Sequence, residues 1–378
     1  MKKLRNFLLL IFLAFSSVLF VSADPGRGRN QLSLSFVGDI MAHNVNYRMK
    51  DYSLIYRGVK RLLRGDDLTF SNLEFPIDTT LPQSTYPQFN NHPSYVRAAI
   101  ESGIEVFSLA NNHTNDQGIS SIFRTLDSTE MLRREYKGEI YFSGARKSTE
   151  EPFAPEVIYI KGWKIGYLAV TQFQNIPPRK PYVLEVNYVK SEEVDTFVAW
   201  LSRVTPGFDL FILSYHGGDE YARKPNPKKV VFFHRLLEAG VHIVHGHHPH
   251  VLQPVESVQI NGLNRVILYS TGNFISGQGT RIDPLKPENI WCYTGDSAIF
   301  TLRVQKTDRG PTVVRIIPLL TTNLKTPAGN FIIEPLGKLA DTLLNEPWAT
   351  YYKQRNVIMR AFLKENTHFT RKLSREPR

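Results

Sequence analysis

Six times along this chain a short apolar segment of strand-like composition stops at a polar residue of a kind that binds metal ions. Residues 31–37 run into Gly38-Asp39, and residues 67–70 into Ser71-Asn72-Leu73-Glu74. Residues 104–109 run into Ala110-Asn111-Asn112-His113, and residues 208–213 into Ser214-Tyr215-His216. Residues 241–244 empty into His245-Gly246-His247-His248, and residues 266–269 into Ser270-Thr271-Gly272-Asn273. Amphipathic patterns at about 53–63, 94–102, 118–134, 191–203 and 227–239 predict helices between several of these strands. Gly103 and Gly240 stand where two of those helices need a terminal residue tolerant of positive φ. Strand–helix alternation selects an α/β fold, in which ligands sit outside the carboxyl ends of the strands. The pattern therefore predicts one sheet edge crowded with Asp, Glu, Asn and His.

Two further stretches read as antiparallel. Residues 156–170 form a hairpin through Lys161-Gly162, and Ile260-Asn261-Gly262-Leu263 has the composition of a second hairpin turn. Residues 275–295, with Ser276-Gly277-Gln278-Gly279 and Asp283-Pro284, read as a long loop on the side of the ligand-bearing edge. The organisation expected is a leader over 1–23, one domain over 31–335 and a helical, basic tail over 336–378.

The leader expectation rests on the basic Met1-Lys2-Lys3-Leu4-Arg5, an apolar run from Phe7 to Val21, and small residues at Ser22-Ala23. A cleaved export signal fits this pattern, which places the protein in the periplasm or outside the cell. An uncleaved segment would instead anchor it to a membrane, although the run is short for a span of about 20 residues. The single cysteine, Cys292, excludes an intramolecular disulfide, so stability must come from the core and from any bound metal. The formal charge is +11, falling by three to +8 without Lys2, Lys3 and Arg5. That excess suits an anionic partner. No nucleic-acid recognition motif accompanies it, so nucleic acid is not an expected partner.

The most specific stretch is His245-Gly246-His247-His248-Pro249-His250. Apolar residues 241–244 and Val251-Leu252 flank it closely, which argues against a tag-like surface tract. His245 reads as structural or as a support behind the ligands, and two of the three imidazoles after Gly246 as ligands. Asp39 and Glu74 offer carboxylates at strand ends. In Asn111-Asn112-His113-Thr114-Asn115-Asp116 an amide oxygen could ligate while the neighbouring imidazole gives up a proton.

In chain order, Gly38-Asp39-Ile40-Met41, Asn72-Leu73-Glu74-Phe75-Pro76, Ala110-Asn111-Asn112-His113, His216-Gly217-Gly218-Asp219-Glu220-Tyr221, Gly246-His247-His248-Pro249-His250-Val251 and Tyr269-Ser270-Thr271-Gly272-Asn273-Phe274 resemble the motifs of the CapA family. That family comprises bacterial capsule or poly-γ-glutamate synthesis proteins, within the metallophosphoesterase (calcineurin-like) superfamily. The resemblance spans about residues 38–274. It implies a four-layer α/β sandwich, two mixed β-sheets flanked by helices. It also implies two divalent cations (Mn, Zn or Fe) held by Asp39, Glu74, Asn112, His216, His247 and His250. His113 would act as the acid, with Asp39 also in the catalytic set. His43, Asn111, Asp116, Glu220, His248 and Asn273 would support the ligands or meet substrate. Met41 stands where the superfamily has a histidine ligand, and His43 is the expected substitute. Gly217 replaces a bulky aromatic, which is expected to open the pocket.

Two functions follow from this resemblance. One is a metal-dependent hydrolase or transferase acting on an anionic envelope polymer or phosphoester, alongside a membrane-bound polymer synthase. Arg179, Lys180, Arg223 and Lys224 would then be placed to steer the anion. The other is a non-catalytic accessory protein that binds polymer in the same cleft.

Overall fold

A computed structural model describes residues 30–340 and 345–372. The first sheet runs in the order β14 (Phe331–Pro335), β13 (Gly310–Lys325), β12 (Asp296–Thr307), β1 (Gln31–Ile40), β2 (Leu68–Leu73), β3 (Val106–Ser108) and β4 (Tyr141–Ser143), with the short β11 (Asn273–Ile275) also pairing with β1. The second runs β15 (Thr367–Lys372), β9 (Val255–Ile260), β10 (Leu263–Leu268), β8 (Ile243–His247), β7 (Leu210–His216), β6 (Trp163–Thr171) and β5 (Glu156–Ile160). Both are mixed. β1 to β4 are parallel to one another, as are β6, β7, β8 and β10, while β12–β14, β5 and β9 bring in antiparallel pairs.

Side-chain alternation explains the layering. In β1, Leu32, Leu34 and Phe36 face the second sheet, where they meet Ile165 and Tyr167 of β6, Ile212 of β7 and Val266 of β10. The opposite face of the second sheet carries Phe211, Leu213 and Tyr215, which pack on Val194, Phe197 and Leu201 of the helix Ser191–Val204 and on Phe232, Phe233 and Leu236 of the helix Pro227–Glu238. The outer face of the first sheet is covered by Ile55 and Leu63 of two short helical turns, by Tyr95, Val96 and Ala99 of the helix Pro93–Ile100, and by Leu132 of the helix Ile119–Glu135. Strands such as β7 are thus buried on both faces and read as unbroken apolar runs. Each fully buried large apolar side chain contributes roughly 1.5–3 kcal/mol. The result is the expected α/β sandwich of two mixed sheets flanked by helices.

Local signals acted as expected. Asn226 caps the helix Pro227–Glu238 by accepting the Lys228 N–H at 3.0 Å, and Pro227 fills its first turn. Gly103 and Gly240 end their helices at φ 100° and 103°. Both hairpins form, β5–β6 and β9–β10. The C-terminal region is helical over Leu336–Ala340 and Trp348–Asn366, but it is not a free tail. Arg355 is fully buried, donating to Asp296 Oδ2 from Nε (2.8 Å) and Nη2 (2.6 Å) and to Pro287 O (2.6 Å). Its guanidinium lies 4.2 Å from the Tyr293 ring, and β15 then joins the second sheet beside β9. Apolar Tyr351, Met359 and Phe362 in this basic segment made docking favourable. Among the described residues no helix is long and apolar enough to cross a membrane. The expected leader lies outside the described residues.

Candidate metal centre

Parallel pairing carries the strand ends to one edge. In the first sheet Asn273, Asp39, Asn72 and Ser108 are successive register partners, and in the second Thr171, His216 and His247 are. Neighbouring strands lie about 4.8 Å apart, so each row presents its polar side chains a few ångströms from the next. Two glycines let the loops close. A Cβ on Gly38 would collide with the Gly272 carbonyl, and one on Gly246 with the Tyr269 carbonyl. The loop after β8 turns sharply, with His248 at φ 91° and His250 at φ 57°. Non-glycine residues reach that region at a cost, and they do so most often at functional sites.

The side chains converge. Asp39 Oδ1 lies 3.2 Å from His247 Nδ1, and Asp39 Oδ2 lies 3.2 Å from His250 Nδ1. Glu74 Oε1 is 3.7 Å from both His216 Nε2 and His250 Nε2. Asn112 brings its Oδ1 to 2.8 Å from His216 Nε2, and His248 Nδ1 lies 3.1 Å from the same nitrogen. Asn273 Oδ1 meets His250 Nδ1 at 3.0 Å. Among the described residues two groups have the spacing to hold a cation: Asp39, Glu74 and His216, all buried, and Glu220, His248 and His250, of which only Glu220 is exposed.

The donor set fits metal ions. Asp39 Oδ2, Glu74 Oε1 and both ring nitrogens of His247 are buried without a hydrogen-bond partner among the described residues. Leaving such groups unsatisfied costs about 1–3 kcal/mol each, more when charged, and a bound cation removes that penalty. Burial keeps the imidazoles neutral, which is the form that ligates: His216 is held well below the usual histidine range, and His248 is lowered to about 3. Burial also works against the Asp39 carboxylate, but contacts with His247 and His250 outweigh it and hold the group well below the ordinary range. Glu74 goes the other way, pushed well up by burial and then by the Asp39 charge beside it. A divalent ion between them would stabilise both as carboxylates.

Around the ligands the expected residues divide. Asp116 Oδ2 accepts from His113 Nδ1 at 2.7 Å and from the Phe89 N–H at 2.8 Å, which fixes the His113 ring. Asn111 is turned inward, bonding Leu73 O, Asn72 Oδ1 and the His113 N–H, so it shapes the loop and offers no ligand atom. His245 is buried edge-on against Phe36, as a structural residue would be. His43 belongs to neither cation-sized group; it packs edge-on against Phe89, and burial lowers it to about 3. Met41 is buried in the apolar cluster that also holds Ile40 and Leu73. Gly217 does not open the pocket, since a Cβ there would come within 2.6 Å of Gln172 Cβ. The Arg223 guanidinium lies against two aromatic rings, Tyr293 (4.0 Å) and Phe362 (4.6 Å).

Two residues escaped the sequence reading. Asn72 Nδ2 reaches Asp39 Oδ1 (2.9 Å), Glu74 Oε2 (3.2 Å) and His216 Nδ1 (3.1 Å), tying both sheets' ligands together. Its signal was available: an amide ending a wholly buried strand must satisfy itself there. Lys229 had no such signal. It lies on a helix, fully buried, and donates to Gly217 O (2.8 Å) and Tyr269 O (3.1 Å), pinning the loops after β7 and β10 while burial lowers it to about 7.

Comparison with known proteins agrees with this picture. The family model of the bacterial capsule synthesis protein PGA_cap matches residues 33–278. The chain is 27% identical over 314 residues to the capsule biosynthesis protein CapA of Bacillus anthracis, covering 78% of this chain and 68% of that protein. It is 28% identical over 293 residues to the PGA biosynthesis protein CapA of Bacillus subtilis, covering 74% and 69%. Among solved structures, the calcineurin-like phosphoesterase YfkN of Bacillus subtilis is similar at a TM-score of 0.42 and 14% identity, covering 89% of this chain and 99% of that chain. That likeness is too distant to carry any further inference. The family match spans most of the chain and all six strand-end motifs, and the protein belongs to the bacterial capsule synthesis (PGA_cap) family.

Proposed function

We propose that this protein is an exported, metal-dependent hydrolase or transferase that acts on an anionic polymer or phosphoester during capsule or poly-γ-glutamate-type synthesis. The observation that carries the reading is the buried donor set Asp39 Oδ2, Glu74 Oε1 and the two ring nitrogens of His247, which form no hydrogen bond among the described residues. Asp39, Glu74, His216 and Asn112, with His247 3.2 Å from Asp39, would hold one cation, and Glu220, His248 and His250 a second. When bound, the cations would polarise the scissile group and lower the pKa of a water molecule. The protein's own residues supply the rest. Asn72 keeps the two carboxylates apart at fixed distances, and Asp116 orients His113 so that its Nε2 is left for proton transfer to a leaving group. Export and a membrane-bound synthase as partner are supported by the N-terminal pattern and by the relatives' role in capsule synthesis.

The second reading, a polymer-binding accessory protein, is favoured by one observation. Met41, at the position of a superfamily ligand, is buried in an apolar cluster. Elemental analysis of the full chain beside a His247→Ala, His250→Ala variant, with turnover of a chromogenic phosphodiester, separates the two. About two metals per chain, lost together with turnover, supports the enzyme. Metal without turnover supports the accessory protein, and no metal after loading with Mn²⁺ or Zn²⁺ refutes both.

A further inference from the structure

The loop that follows β11 is built onto the metal centre and carries a cation to its rim. Asn273, whose Oδ1 meets His250, donates from Nδ2 to Gln278 Oε1 at 2.9 Å. Gly277 approaches His43 so closely that an added Cβ would lie 2.6 Å from His43 Cβ. The single 3-10 turn Gln278–Arg281 then ends in Arg281, whose guanidinium carbon lies 4.3 Å from the Trp291 ring centroid. Trp291 stands edge-on to Tyr221 (5.1 Å, 67°), and Tyr221 leans on His250 (6.3 Å) while its N–H donates to Pro249 O at 2.8 Å. The Arg281 charge acts on both His43 and Tyr221.

Arg281 is exposed and forms no ion pair with any described residue. Asp283, two residues on, faces Lys286 at 3.7 Å instead. Stacking fixes the plane of the guanidinium yet leaves its N–H fork unoccupied. Arg223, the other arginine near this rim, is enclosed by two aromatic rings.

We propose that Arg281, stacked on Trp291, is a specificity-determining clamp that takes two oxygens of a substrate carboxylate or phosphate at the rim of the metal cleft. The planar fork matches either oxyanion bidentately, which an ammonium cannot do. Trp291 and Tyr221 supply an apolar floor for the part of the chain between charges. The proposal rests on the cleft being the site for an anionic substrate, and it is tested by binding in metal-loaded and metal-stripped protein alike.

The probes are a hexamer of γ-linked glutamate and inorganic tripolyphosphate, titrated into the full chain and into Arg281→Met and Arg281→Lys variants. Tryptophan emission is followed, with Trp291→Phe assigning the signal among the four tryptophans. We expect quenching at Trp291 and a loss of affinity of about tenfold in Arg281→Met, with Arg281→Lys restoring little of it. The probe whose affinity depends on Arg281 identifies the oxyanion as carboxylate or phosphate. Metal content unchanged in both variants keeps this outcome separate from loss of the centre. Equal affinity of wild type and Arg281→Met for both probes, or full rescue by lysine, overturns the clamp.

Discussion

Glu74→Gln gives the sharpest test of the metal centre because it should change stability in opposite directions with and without metal. The substitution keeps the side chain's shape and removes its charge. In metal-stripped protein Glu74 is fully buried, its Oε1 has no hydrogen-bond partner among the described residues, and Asp39 lies beside it. Removing a carboxylate from that setting should stabilise the stripped protein by about 1–3 kcal/mol. In loaded protein the same change removes a ligand. A cation at about 100 times its dissociation constant stabilises the native state by about 2.7 kcal/mol. With an unfolding entropy on the order of 0.7 kcal/mol per kelvin for a chain this long, that is about 4 °C of Tm. Scanning calorimetry with Mn²⁺ and with a chelator should therefore show wild type gaining a few degrees on loading. The variant should start higher and gain little. A variant that melts below wild type in chelator, or that keeps the full metal-induced gain, would refute the electrostatic reasoning.

Other perturbations probe separate parts of the structure. Glu220→Gln should cost one of two cations by elemental analysis, since Glu220 is in reach of His248 and His250 but belongs only to the second group; unchanged stoichiometry would remove it from the ligand set. Glu105 lies just before β3, where it accepts the Thr69 N–H at 2.8 Å and burial raises it from 4.5 to about 7. The folded chain holds that proton more tightly, so its contribution is complete below pH 4.5 and is lost as pH rises through 7, up to about 3 kcal/mol. Glu105→Gln should flatten this part of the pH–stability curve in chemical denaturation, and an unaltered curve would count against the shift. Arg355→Met leaves Asp296 buried and unpaired, so unfolding should cost about 3–5 kcal/mol less. The double variant with Asp296→Leu should recover part of that loss, and a full additive loss would contradict a pairing role.

The ligand edge was legible because its chemistry is local. A strand that runs into Asp39, Asn112 or His216 announces itself by period and composition, and parallel α/β topology sends such ends to one side. Helix limits near Gly103 and Gly240 and the turn at Asn261-Gly262 were equally local, set by φ > 0. Elsewhere proximity decided. His43 is two residues from Met41 in sequence, yet Glu220 in a distant loop is what stands beside His248 and His250. Gly217 looked like spare room, but Gln172, brought up by β6, fills the space. Arg223 looked like a free cation until the loop at Tyr293 and the C-terminal helix at Phe362 enclosed it.

Residue order alone thus determined which strands exist, which way their polar ends point, and which family the motifs resemble, because backbone sterics and side-chain period act over a few residues. Tertiary structure decided which of those polar ends lie close enough to share a cation, through register across Asn273, Asp39 and Asn72 in one sheet and His216 and His247 in the other. It also placed Lys229 beneath the loops, Arg355 against Asp296 and Arg281 on Trp291. Those contacts join residues far apart in the chain, and only packing the sheets and loops together selects them.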